Sequence, residues 1–308
     1  MNELTYTKLL NLTIEKYLNE SSLEAYQFIT ENEKKVPGKH AQIFNFKYAL
    51  ASAAGLEKEA LDIMKEAVID HGFWYSYEYL MDDDDLKPLH QYEEFQQLAL
   101  VCKEREEEAK ANSKPIVKEI SPNNESETTP VLVALHGDQE NIELTEKQWG
   151  SAVQKGAKLV LPQSSQIQFS NGYEWSDVEK GAGELLQHIS NSENNPVLLG
   201  GFSAGAQVAL YTALHEQLHV NGLILVAPWL PNVKEWEDKI VRLKEQNIPC
   251  YVICGDQDED CFACTNTFVQ LLEDHQIPYT YQLLPDLDHD YPSDFDELLA
   301  EALTMMMK

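Results

Sequence analysis

Two hydrophobic spacings divide this chain. From Leu4 to about Lys110 apolar residues return every three or four positions, the period of an amphipathic helix. Leu9, Leu10, Leu12, Ile14 and Leu18 form one such stretch; Leu23, Tyr26, Phe28 and Ile29 form the next. Between them, Ser21-Ser22-Leu23-Glu24 carries cap and capping-box residues, which predicts a helix start. Pro37-Gly38 breaks the pattern, and two further helices are expected over 39–54 and 57–70, with Gly55 at their turn. Beyond residue 111 short apolar, β-branched runs alternate with helical patterns. Ile116–Ile120 reads as an edge strand; the runs are Val131–Leu135, Ala157–Leu161, Pro196–Gly200, Gly222–Ala227, Pro249–Cys254 and Tyr279–Leu284. Continuous rather than alternating hydrophobicity means strands covered on both faces. Strand–helix repetition means a mostly parallel sheet with helices on both sides. We therefore expect an all-helical domain over 1–111 and an α/β domain over 112–308, joined by the turn-rich Asn112-Ser113-Lys114-Pro115.

Within the helical half, Phe44 to Val68 resembles a tetratricopeptide unit. Ala60 and Ala67 stand seven apart on the second helix and Gly55 marks the turn, although the repeat's tryptophan position holds Phe44. The resemblance implies a groove for a protein partner; the short, turn-rich connection implies instead a domain held close to the second half, restricting what reaches it. The run Asp82-Asp83-Asp84-Asp85 is expected to be a solvated loop or a helix cap.

Charge narrows the partners. The 308 residues carry a net charge of −29, which argues against nucleic acid and anionic membrane, because such a surface releases no counterions. No apolar run reaches the ~18 residues of a membrane span. Met1-Asn2-Glu3-Leu4 lacks the basic and apolar regions of a secretory signal. Five cysteines, odd in number and without framework spacing, suit a reducing compartment. The expectation is a cytoplasmic protein.

Gly201-Phe202-Ser203-Ala204-Gly205 lies between the apolar run ending at Gly200 and a helix-forming stretch. Strand, G-x-S-x-G, helix is the layout of a nucleophile elbow, where a serine sits on a strained turn with its amide at a helix N-terminus. A serine hydroxyl is a weak nucleophile at neutral pH and needs a base, which needs an orienting acid. The run ending at Cys254 leads into Gly255-Asp256-Gln257-Asp258-Glu259-Asp260; the run ending at Leu284 leads into Pro285-Asp286-Leu287-Asp288-His289-Asp290. After the acid loop only His275 and His289 remain; His275 falls inside a helical pattern, so His289 is the expected base. Asp256, Asp258 and Asp260 compete for the acid.

These residues resemble the phospholipase/carboxylesterase branch of the α/β-hydrolases. Leu135-His136-Gly137 ends the first parallel strand, Gly201–Gly205 looks like the elbow, and Asp288-His289-Asp290-Tyr291-Pro292 is similar to the histidine loop. In that family the acid lies three residues past a strand-terminal glycine, which implies Asp258. The resemblance further implies an oxyanion hole of two backbone amides, Ala204 and either Asp138 or Gln139, with the Asp138 carboxylate turned away. It departs at Ala204, where glutamine is usual, and at Glu259-Asp260-Cys261, where the family tends to have Pro and Val. What it implies is a serine esterase or thioesterase working through an acyl-enzyme, with neither metal nor organic cofactor.

The loop aromatics Tyr173, Trp175 and Trp229 are candidates for the substrate pocket. Asp256-x-Asp258-x-Asp260 opens like a calcium loop but lacks the glycine and glutamate such a loop needs. Cys250, Cys254, Cys261 and Cys264 do not suit zinc, since the first two fall on a buried strand. A serine peptidase or amidase uses the same triad, and an interaction protein with a degenerate hydrolase half is the non-catalytic alternative.

Overall fold

The computed structural model describes residues 4–189, 195–215 and 218–307. They form two compact units: Met1–Ser113 with Ile167–Gly172, and Lys114–Gln166 with Tyr173–Lys308.

The first unit contains α1 (Tyr6–Asn19), α2 (Ser22–Asn32), α3 (Ala41–Ala53), α4 (Glu57–Lys65), α5 (Tyr77–Asp82) and α6 (Glu93–Asn112). Thr5 and Ser21 cap the first two helices, their hydroxyls accepting from Lys8 N at 3.0 Å and Glu24 N at 3.2 Å. The Ser21 hydroxyl also donates to the Glu24 carboxylate at 2.9 Å. Gly55 turns α3 into α4 at φ +75°, a left-handed conformation that a side chain resists. Asp83 caps the 3₁₀ helix Asp84–Gln91 by accepting from Asp85 N, so the acidic run serves as a helix cap. Ala60, Ala67 and Phe44 are buried; Ala67 lies in a π turn, Glu66–Asp70, that continues from α4.

The core of this unit holds Tyr48, Tyr75, Met64, Leu80 and Phe95. It also holds Phe169. Trp74 N donates to Ser170 Oγ at 2.7 Å and Ser170 N donates to Trp74 O at 3.1 Å. A single boundary at residue 111 does not foresee this return of the chain.

The second unit is built on β1 (Ile116–Ile120), β2 (Val131–Leu135), β3 (Lys158–Gln163), β6 (Val197–Phe202), β7 (Gly222–Val226), β8 (Cys250–Gly255) and β9 (Tyr279–Leu284). A short hairpin, β4 (Ile167–Phe169) and β5 (Gly172–Tyr173), separates β3 from β6. The sheet order is β1-β3-β2-β6-β7-β8-β9, with β1 antiparallel to β3 and the other pairs parallel. Its helices are α7 (Ile142–Trp149), α8 (Ser151–Gln154), α9 (Val178–His188), α10 (Ala204–His215), α11 (Glu237–Glu245), α12 (Phe262–Asp274) and α13 (Phe295–Met306).

The unbroken apolar runs are explained by the two cores. Val133, Leu135, Val197 and Leu199 pack with α9 to α12 on one face; Leu132, Ala134, Leu198 and Phe202 pack with α7, α8 and α13 on the other. Each such buried side chain contributes about 1.5–3 kcal/mol. Because β6, β7, β8 and β9 are parallel, their carboxyl ends fall on one edge of the sheet, where Phe202 pairs with Val226, Val226 with Ile253 and Gly255 with Leu284. This edge is where open α/β sheets bind ligands.

Candidate active site

Ser203 follows β6 at φ +51°. Its amide donates to Val226 O at 3.0 Å, and its carbonyl accepts from Ala206 N at 3.0 Å and Trp229 N at 3.2 Å. The strained residue is thus held by its backbone from both sides while its side chain is left half-exposed. The flanking glycines are dictated by close approach. A Cβ on Gly201 would stand 2.4 Å from the carbonyl carbon of Gly205, and one on Gly205 would stand 2.3 Å from His136 O.

The acid and histidine loops are fastened to each other. Asp256 N donates to Leu284 O and Gln257 N to Leu287 O, both at 3.0 Å; Asp286 N donates to Asp256 Oδ1 at 2.9 Å. Gly255 lies so close to this loop that a Cβ would sit 1.9 Å from Leu287 O. The consequence is that His289 Nδ1 donates to Asp258 Oδ2 at 2.9 Å. Asp258 is 1 % exposed, and its Oδ1 accepts from Cys261 N at 2.9 Å. Asp256 is used up in the loop-to-loop contact and Asp260 is exposed, so only Asp258 meets the imidazole. The His289 ring packs on Phe202, the residue before Ser203, at 4.9 Å between centroids. Phe202 stacks in turn on Tyr291, whose hydroxyl accepts from Trp149 Nε1 at 3.0 Å.

With Nδ1 committed to the carboxylate, Nε2 carries the lone pair that a base needs. Burial lowers the imidazole pKa, but the Asp258 hydrogen bond and the negative charges of Asp258, Asp260 and Glu140 outweigh it, leaving His289 above its ordinary 6.5.

The loop after β2 supplies backbone donors. Gln139 N is taken by Tyr173 O at 2.7 Å, whereas no hydrogen-bond acceptor among the described residues engages the Asp138 or Ala204 amide. The Asp138 carboxylate is turned to Trp175 N, 3.0 Å away; burial still raises its pKa. His136 is a structural residue. Burial drives its pKa down to about 4, its Nδ1 donates to Gly137 O at 2.7 Å, and its Nε2 accepts from Ser164 N at 3.3 Å.

Trp175 departs from expectation. It is 2 % exposed, stacked on His136 and donating from Nε1 to His136 O at 2.8 Å, so it braces the loop from within rather than lining a pocket. Tyr173 is half-buried and bridges through its backbone to Glu140, while Trp229 is 39 % exposed, with its backbone amide on the Ser203 carbonyl.

Glu140 escapes a reading of the sequence, because nothing local announces that it is buried. Its Oε2 accepts from Gly137 N at 2.9 Å, and burial pushes its pKa up to about 7, against the Gly137 hydrogen bond and the charge of His289. Among the cysteines, Cys250 and Cys254 are buried on β8; Cys261 lies elsewhere, its sulfur, the Asp258 carboxylate and a His289 nitrogen falling within 4.8 Å of one another.

Comparison with known proteins bears on the family and the fold. Residues 176–306 match the family described as Phospholipase/Carboxylesterase, and residues 5–110 match the A/B hydrolase-like, N-terminal domain. Over residues 176–306 the chain belongs to the phospholipase/carboxylesterase family of α/β-hydrolases. A crystal structure of an uncharacterized protein from Bacillus cereus ATCC 10987 is 51 % identical, covering 99 % of this chain and 100 % of that one with a TM-score of 0.57. Esterase PE8, at 19 % identity, covers 63 % of this chain and 99 % of its own with a TM-score of 0.54. Acyl-protein thioesterase 2 from Zea mays, at 16 % identity, covers 63 % and 99 % with a TM-score of 0.50. At those identities the last two are alike in fold. A comparison with curated proteins finds no match. The chain is a hydrolase by family, and no helix among its described residues is long and apolar enough to cross a membrane.

Proposed function

We propose that the protein is a serine hydrolase that cleaves a carboxylic ester or thioester through an acyl-enzyme. Ser203 Oγ attacks the substrate carbonyl carbon while His289 Nε2 takes its proton. The Ala204 and Asp138 amides receive the tetrahedral oxyanion, fixed donors that need no rearrangement as charge develops. Collapse expels the alcohol or thiol, which leaves with the proton from His289. Water, deprotonated by the same nitrogen, then releases the acid. Asp258 holds the imidazole in the required tautomer and stabilises its positive form.

The observation carrying this reading is the 2.9 Å bond between His289 Nδ1 and buried Asp258, on a ring packed against the residue preceding strained Ser203. Two proteins of like fold are named esterase and acyl-protein thioesterase, which supports esters and thioesters as the substrates to try first. The test is labelling of the full chain with a fluorophosphonate, followed by a panel of p-nitrophenyl esters, acyl thioesters and peptide anilides. Labelling confined to Ser203 with turnover of esters or thioesters is expected. Label on another residue, or turnover of the anilides alone, overturns it.

A further inference from the structure

The acid loop of the second unit contains a thiol pair for which the hydrolytic steps have no use. Cys261 occupies the N-cap position of α12 and Cys264 sits one turn into it, a C-x-x-C at a helix N-terminus, where thiolates are favoured. The Cys264 thiol donates to Cys261 O at 3.2 Å, so the two residues are in contact across the first turn. Cys264 is half-buried; its Sγ lies 3.4 Å from Pro228 O and accepts from Leu230 N at 3.3 Å. The Cys261 side chain brings the Cys264 thiol down to about 7 against the opposing effect of burial, while its partner is raised. Cys261 is fully buried and touches the acid: its amide donates to Asp258 Oδ1, and its sulfur belongs to the cluster with Asp258 and His289.

We propose that Cys261 and Cys264 are a modification site, a reversible disulfide that a peroxide forms and a dithiol removes, and that its formation disturbs the bond between Asp258 and His289. The chemistry balances. The Cys264 thiolate attacks one peroxide oxygen, the O–O bond breaks, and the departing hydroxide takes a proton to become water. The Cys261 sulfur attacks the resulting sulfenic sulfur, the S–O bond breaks, and hydroxide leaves with the Cys261 proton as a second water. Two thiols lose two electrons and one peroxide gains them.

The coupling to Asp258 follows from geometry. Helix positions three apart hold their Cβ atoms about 5–6 Å apart, and a disulfide asks for about 3.5–4.5 Å. Closing that gap moves the first turn of α12. Cys261 cannot move without moving the amide that donates to Asp258. Cys264 cannot move without leaving Leu230 N, in the segment whose Trp229 amide donates to Ser203 O.

The effect on turnover rests on the hydrolase reading; the bond itself does not. The full-length reduced protein is treated with a small molar excess of hydrogen peroxide. Non-reduced peptide mapping, ester turnover and the downfield proton resonance of the His289–Asp258 hydrogen bond are followed, then followed again after dithiothreitol. Expected are a Cys261–Cys264 linked peptide, loss of the resonance and a fall in turnover of about tenfold, all reversed by dithiothreitol. Cys264→Ser should form no link and keep its resonance under peroxide, and Cys102→Ser should behave as the unaltered chain. A link through Cys254, sulfinic acid at Cys264 without a link, or a Cys261–Cys264 bond that leaves the resonance in place overturns the proposal. Absence of fluorophosphonate label on the reduced protein would sink the hydrolase reading alone, since mapping and the resonance still decide the thiol pair.

Discussion

The two units meet the same backbone problem with different residues. In the first unit positive φ falls on Gly38, Gly55 and Gly72 and, in its returning segment, on Asn171. In the second unit Gln139, Ser203, Ala227 and Asp286 adopt that conformation after β2, β6, β7 and β9, and Gly156, Asn247 and Gln276 adopt it after α8, α11 and α12. A side chain there costs about 1–2 kcal/mol that glycine does not. Burial of charge is divided likewise. Lys47, in the helical unit, is paired with Glu33 at 3.0 Å. The hydrolase unit buries His136, Glu140, Glu184, Asp258 and Asp290. Where side chains were free to suit stability the chain chose glycine and apolar packing; strained and desolvated groups gather at the strand ends that carry the candidate chemistry.

The largest expected effect is at the strained serine. Ser203→Ala should lose fluorophosphonate labelling and lower kcat by about 10⁴-fold or more, with its melting temperature almost unchanged. Retained labelling would mean that the strain serves something else. Next is Asp258→Asn, which can hold the wrong imidazole tautomer and should lower kcat by about 10³–10⁴-fold. Asp256→Asn, on a carboxylate engaged with Asp286 N, should act mainly on stability. If the two exchange places in a kinetic comparison, the assignment of the acid fails.

A smaller effect concerns pH. Protonated His289 cannot accept a proton, so turnover should rise with pH through a pKa above the ordinary 6.5. Glu140→Gln keeps an acceptor for Gly137 N but removes one charge that favours the imidazolium, so the acidic limb of kcat/KM should move to lower pH. A limb that stays or moves upward would show that Glu140 does not act on His289.

The smallest effects test the backbone contrast directly, by urea unfolding. Gly55→Ala meets nothing within 4 Å and should lose about 1 kcal/mol through φ alone. Asp286→Gly, exposed at φ +58°, should gain about 0.5 kcal/mol, strain relief less the extra freedom of glycine when unfolded. Effects of the same sign would remove the distinction between the units.

What the sequence displayed tracks how local each signal is. The inner strands β2, β3, β6, β7 and β8 were legible because each is a continuous apolar run covered on both faces, as were the Ser21 cap and the turn at Gly55; β9, at the sheet edge, has no buried residue. The approach of His289 to Asp258 was legible from chain order together with family resemblance. The hairpin of Ile167–Tyr173 was not, because its strands are two and three residues long and show no run. Nor was the burial of Glu140 and Trp175, which neighbours distant in sequence impose. Trp175 illustrates the limit, for an aromatic in a loop reads alike whether it rims a pocket or stacks on His136.

The return of Ile167–Gly172 to the helical unit has a consequence for the order of events during synthesis. Ser113 and Ile167 are separated by the strands β1, β2 and β3. At about 5–20 residues per second, the ribosome needs roughly 3–11 s to make that stretch. For that interval the six helices exist without Phe169 in their core and without Ser170 on the backbone of Trp74. The N-terminal unit is therefore first to be made but cannot be complete when its last helix is. Its maturation waits on a segment translated only after the sheet of its neighbour has begun.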